Sequence, residues 1–168
     1  MEPTLKPHVL NQKAIDYQGK MTNPVVFWWA MLFKLPSAVF WKLRIKSLDP
    51  EKCQVTIPYF WRSQNPFRSI YFAALAGAAE LSTGALCQLA LAGKGAFSML
   101  VVDFRAEYHK KANSKITFTC EQGTELFNLI DSLNVGDTNQ LTMISEGKNP
   151  SGEVVARFYV TWSFKRKS

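Results

Sequence analysis

Between Ser69 and Gly93 almost every position is small or apolar, so no side of a helical wheel is left over for solvent. A helix patterned in this way is wrapped by protein over most of its circumference. The segments around it keep a different period. Lys42 to Leu48 alternates basic and apolar residues, Asp49 to Lys52 supplies a turn, and Cys53 to Tyr59 alternates again, which predicts a β-hairpin. Phe97 to Lys110 is long and rich in strand formers, Ala112 to Lys115 reverses direction, and Ile116 to Cys120 alternates strictly. These predict a second hairpin. A short helix is expected over Thr124 to Leu133, ended by Asn134 to Gly136. Gln140 to Ser145 then pairs across the turn Lys148 to Gly152 with a strand from Glu153 to Lys165. In that last strand Val154, Ala156, Phe158, Val160, Trp162 and Phe164 point one way, into the core. Arg157, Tyr159, Thr161 and Ser163 face solvent or a partner.

Ahead of these elements, Asn23 and Pro24 form an N-cap and first-turn pair for a helix through about Phe33, and Pro36 interrupts the chain beyond it. The organisation expected is an N-terminal helical segment, residues 1–40, and one unit over 41–168. Antiparallel hairpins with one apolar helix predict the α+β class: a curved antiparallel sheet wrapped around a central helix, with N-terminal helices. At 168 residues and 47% hydrophobic content, one core suffices.

The run from Ser69 is long enough to span a bilayer, but Glu80, Ser82, Thr83 and Gln88 are costly in hydrocarbon. The N-terminal stretch has neither the basic start nor the cleavage site of a secretory signal, so a cytoplasmic chain is expected. Cys53, Cys87 and Cys120 lie far apart in core-like segments, as reduced thiols do. Two histidines are too few for the usual zinc site, and no metal is expected. A formal charge of +7 asks for an anionic partner. The basic residues are dispersed and not gathered in a recognition helix, which argues against nucleic acid and for a small phosphorylated molecule. Phe27, Trp28, Trp29, Phe33, Phe40 and Trp41 exceed what a helical cap needs. Core or dimer packing is the expected role; a lid over an acyl tunnel and a membrane-surface helix are the alternatives, the membrane surface being the least expected.

Glu80 is the residue that points to chemistry. A carboxylate in so apolar a helix is desolvated, which raises its pKa and fits it for acid/base work. The structural alternative is that it reaches a gap in the wrapping and meets water or a cation. Cys87 lies one heptad beyond Glu80, but a buried thiol without a nearby base is a small hydrophobe.

The order of elements resembles the hot-dog fold superfamily, and most closely the phenylacetate-degradation type of acyl-CoA thioesterase and its relatives. In that group an Asn is followed six residues later by His, Gly, Gly at the start of the central helix, and nine residues after the His comes a catalytic Asp or Glu. Here Asn65, Tyr71 and Glu80 keep that spacing. Tyr71, Phe72 and Ala73 stand in place of His, Gly, Gly, and the likeness covers Trp41 to Lys165.

The resemblance implies an acyl-CoA or other acyl thioester as substrate, coenzyme A being part of the substrate and no separate cofactor. It implies a homodimer or a tetramer, with the helix start of one chain facing the carboxylate of the other. Glu80 then acts as base or nucleophile, the Tyr71 and Phe72 amides hold the oxyanion, Asn65 orients, and the Tyr71 hydroxyl donates to a carbonyl. Asn65 also reads as a loop residue bonding its own backbone. Arg68 is a phosphate or carboxylate clamp or a solvated cation. Lys110 and Lys111 flank the path of the nucleotide, or serve solubility alone. The departure at His, Gly, Gly leaves an alternative, a non-catalytic acyl- or lipid-binding hot-dog protein.

Overall fold

A computed structural model describes residues 8–168. Three helices lead the chain: α1 Gln12–Thr22, α2 Pro24–Lys34 and the short α3 Pro36–Phe40. The hairpin β1 Arg44–Leu48 and β2 Cys53–Ile57 comes next, and then the central helix α4 Phe72–Leu91. The remainder is β3 Phe97–Tyr108, β4 Ile116–Cys120, α5 Gly123–Ser132, β5 Thr138–Lys148 and β6 Val154–Arg166. All strand pairs are antiparallel, in the order β1-β2-β4-β5-β6-β3, and the sheet curves around α4.

α4 is long and apolar enough to cross a membrane, yet most of it is buried in the protein core, as its pattern predicts. Two glycines let aromatics lie flat on it. A Cβ at Gly77 would come within 2.9 Å of the Trp41 ring, and one at Gly84 within 3.2 Å of Trp162. Inside, the Ser82 and Ser145 hydroxyls meet at 2.7 Å, and Trp162 Nε1 donates to Thr83 Oγ1 at 2.9 Å. All three cysteines are free and buried.

The hairpins β1/β2 and β5/β6 form as expected. The second predicted hairpin does not. β4 pairs with β2 and β5, while β3 runs along β6 at the far edge of the sheet. Residues 109–115 are therefore a crossing and not a tight reversal. The His109 and Lys110 amides donate to Val155 O, and the Ala112 carbonyl accepts from Ile70 just before α4. The crossing explains why Val155 is buried on the face expected to be open; Thr161 is buried there too, its hydroxyl 2.8 Å from that of Thr142.

α1 falls inside the expected N-terminal helical segment, but its own bounds are not among the sequence expectations. It is capped by Asn11, whose side chain accepts from Ala14 N, and it buries only Ala14 and Met21. The N-terminal aromatics also differ from expectation. Phe27 is buried and Trp41 half-buried, but Trp28, Trp29, Phe33 and Phe40 are exposed.

Candidate active site

Two cavities open at different places along α4. The first, about 360 Å3, lies at the start of the helix, lined by Asn65, Phe72, Tyr108, His109, Lys110 and Lys111 among others. The backbone before it is tightly held. Asn65 Oδ1 accepts from the Phe67 and Ser69 amides at 3.0 and 3.2 Å, so its side chain shapes the loop that leads into α4. Asn65 thus bonds the backbone of its own loop and also lines the cavity.

Among the described residues no side chain caps α4. The Tyr71 amide donates to Ser63 O at 2.7 Å, which takes it out of any oxyanion role. The Phe72 and Ala73 amides have no partner among the described residues and carry the positive end of the helix dipole. Tyr71 itself is exposed and is not part of the cavity wall, its ring stacking edge-on against Phe72 at 4.9 Å.

Arg68 stands apart. It is exposed on the loop, with φ of 57°, and does not line the cavity. Lys110 is paired with Glu153, and Lys111 Nζ lies 3.5 Å from the Phe67 carbonyl. Both remain exposed at the cavity mouth. His109 is a cavity residue that sequence reasoning misses. Its signal is the run of His109, Lys110 and Lys111 at a strand end, but only the pairing of β3 with β6 brings that run beside the helix start.

The second cavity, about 330 Å3, holds Glu80. Its wall comes from Tyr17 and Met21 on α1, Met31 on α2, Leu81 and Gly84 on α4, Met99 on β3 and Trp162 on β6, with Leu35 after α2. Glu80 is half-buried there, and neither a cation nor a hydrogen-bond donor reaches its carboxyl among the described residues. Burial alone holds its pKa above the ordinary carboxylate range. Cys87, by contrast, touches Met143 Sδ at 3.4 Å, and burial pushes its thiol well up, so it is no nucleophile.

Within one chain the expected site is therefore divided. Asn65, Phe72, Lys110 and Lys111 are brought together; Glu80 is not among them. It lies eight residues beyond Phe72, about 12 Å along the helix axis. Among the described residues there is no cluster of metal-ligand type.

Known proteins with this architecture include a protein of unknown function from Pseudomonas aeruginosa described as a probable thioesterase, with a TM-score of 0.68 and 19% identity over 88% of this chain and 99% of that one. A protein of unknown function from Chlorobaculum tepidum matches with a TM-score of 0.72 and 17% identity over 89% of this chain and 99% of that one. A thioesterase from Haemophilus influenzae matches with a TM-score of 0.64 and 15% identity, over 81% of this chain and 87% of that one. No curated protein matches the sequence. The fold is thus the hot-dog fold of thioesterase-like proteins, as the order of elements implied. Residues 24–164 match the family described as domain of unknown function DUF4442, and the chain belongs to that family.

Proposed function

We propose that the protein hydrolyses acyl thioesters, acyl-CoA foremost, at two sites shared between the subunits of a homodimer. The observation that carries this is Glu80: a desolvated, unpaired carboxylate on the wall of a largely apolar cavity. A base with a raised pKa is a better proton acceptor at neutral pH than an ordinary carboxylate.

The dimer is inferred from an unpaired edge. Among the described residues β3 bonds only to β6, and along it Leu100, Val102, Phe104 and Tyr108 are exposed. An edge of this length and apolarity calls for a partner strand. Antiparallel pairing of β3 with its copy about Val102 and Asp103 sets Tyr108 of one chain near Phe97 and Met99 of the other. The helix-start cavity, with Tyr108 in its wall, then meets the partner's Glu80 cavity, with Met99 in its wall.

In the joined site the acyl group lies among the methionines, and the thioester carbonyl oxygen points at the Phe72 and Ala73 amides. Glu80 takes a proton from water as the water oxygen bonds to the carbonyl carbon. The oxyanion is held by the amides and the helix dipole. Its collapse breaks the C–S bond, and the proton passes to the thiolate, giving the free acid and the thiol. Lys110 and Lys111 at the mouth meet the nucleotide phosphates.

Mixing two inactive variants tests the shared site. Glu80→Gln lacks the base, and Lys110→Glu with Lys111→Glu lacks the nucleotide contacts. Random reassembly makes half of the dimers hybrid, each with one intact site of two, so about a quarter of the parent's acyl-CoA hydrolysis returns. Mixtures that stay inactive while hybrid dimers are visible by native mass spectrometry rule the shared site out. A parent that binds acyl-CoA without turnover over short, medium and aromatic acyl groups is the acyl-binding protein instead.

A further inference from the structure

α2 presents an outer face that no described part of the chain covers. Val25, Val26, Trp28, Trp29 and Phe33 are exposed, Trp29 to 56% and Phe33 to 80%. The face does not end with the helix. Trp28 forms one wall of a cleft of about 190 Å3 whose other side holds Lys42, Arg44 and Arg62. The Arg62 guanidinium in turn lies 5.5 Å over the Phe40 ring and 5.6 Å over that of Trp61, both exposed aromatics. Beyond the cleft, Arg44, Lys46 and Lys115 border a second depression beside Phe27.

None of these cations has an acidic partner within ion-pair distance among the described residues; the ion pairs there involve Lys94, Arg105, His109, Lys110, Lys148 and Arg157 instead. A continuous surface is left in which exposed tryptophans and phenylalanines are bordered by unpaired positive charge.

We propose that this face docks on an anionic lipid surface, with the α2 aromatics entering the headgroup boundary and Lys42, Arg44 and Arg62 meeting lipid phosphates in the cleft beside Trp28. An apolar face this large is costly in water, and it marks a site of contact. An 11-residue helix is far too short to span a bilayer but suits one lying in its plane. Tryptophan favours that depth, where its ring is in an apolar layer and its N–H remains wet.

Charge decides against a second copy of the chain as occupant. Two such faces would bring their own unpaired cations together, whereas an anionic leaflet neutralises them. From the sequence alone a membrane surface is the least expected role for these aromatics, because aromatics in such number are expected to pack inward. Their exposure removes that premise. Lipid docking does not depend on thioesterase activity.

The test is co-sedimentation of the full chain with vesicles of phosphatidylcholine alone and of phosphatidylcholine with phosphatidylserine, at low and high salt. Binding to the anionic vesicles, weakened by salt, is expected, with little on the neutral ones. Trp28→Ser, Trp29→Ser and Phe33→Ser combined removes the inserted groups and lowers the partition coefficient at least tenfold. Lys42→Gln, Arg44→Gln and Lys46→Gln combined lowers it by about a hundredfold on anionic vesicles only, at roughly fivefold for each cation. All six positions are exposed, so both variants keep the parent's melting temperature. Equal sedimentation with and without the anionic lipid overturns the proposal. So does an aromatic variant that binds like the parent, or one that turns a dimer into monomers in sedimentation velocity, which would make the face a subunit interface.

Discussion

Replacing Glu80 by Gln perturbs the site and the fold in opposite directions, and the burial of its carboxyl gives the sign of each. The carboxyl sits among Met21, Met31, Met99 and Trp162, with no donor or cation reaching it among the described residues, so its charge is desolvated without compensation. Its folded-state pKa is raised, which means that the unfolded chain releases this proton at lower pH than the folded protein does. Glu80 then costs the fold nothing below about pH 4.3, the unfolded value, and its penalty grows as the pH climbs through the window up to the folded value. Gln carries no charge at any pH. The variant should match the parent in acid and exceed it at pH 7, by about 1.36 kcal/mol for each unit by which the folded value is displaced. In a domain of this size each kcal/mol moves Tm by about 2–4 °C. Hydrolysis should move the other way, falling about a hundredfold, or about 2.7 kcal/mol of transition-state stabilisation. Calorimetry from pH 4 to 8 beside a thioester assay reads both. Melting curves that run parallel over that range refute the desolvated carboxylate, and undiminished hydrolysis refutes the base.

Two further substitutions probe the packing and hydrogen bonding of the core. Thr83→Val removes the acceptor that Trp162 Nε1 reaches at 2.9 Å and leaves a buried donor unpaired, for an expected loss of about 1–3 kcal/mol in urea unfolding. Gly147→Ala puts a Cβ within 2.5 Å of the Phe118 ring, itself packed 5.6 Å from Phe158, and should cost about 1–3 kcal/mol, part of which Phe118→Leu restores in the double variant. Unchanged midpoints in either case mean that the core yields more readily than its packing indicates.

What the sequence disclosed was whatever local periodicity controls. α4, β1 with β2, and β5 with β6 are each adjacent in the chain and patterned for their own environment, and all three were legible. The pairing of β3 was not, because a strand can look like half of a hairpin and still cross to the far edge when its loop is held by another element, here by Ile70 and Val155. The bounds of α1 escaped because it buries only Ala14 and Met21 and carries Gly19 mid-helix; its one local signal was the Asn11 cap. Glu80 stood out because its neighbours are apolar. Its cavity did not, since the walls come from five separate elements. His109 and the commitment of the Tyr71 amide to Ser63 belong to the same class of long-range consequence.

The geometry of α4 bears on why the proposed site needs two chains. A helix start and a carboxylate eight residues along cannot converge on one carbonyl, because a helix is rigid and separates them by about 12 Å. The spacing serves a different end. Glu80 shares its cavity with Met99 on β3, and Tyr108, at the other end of the same strand, lines the helix-start cavity. One strand thus carries the markers of both half-sites at its two ends, and an antiparallel copy of that strand exchanges the ends. The β3 irregularity between Val101 and Asp103 falls near the midpoint, where the register to β6 shifts. A bulge there bends the strand at the place about which a twofold axis would act. A register slip between the two copies would carry Tyr108 away from the partner strand's end and part the two half-sites. The proposed chemistry therefore rests on the register of an interface as much as on the carboxylate, and a chain with Glu80 intact but β3 unpaired would have a base with no oxyanion site within reach.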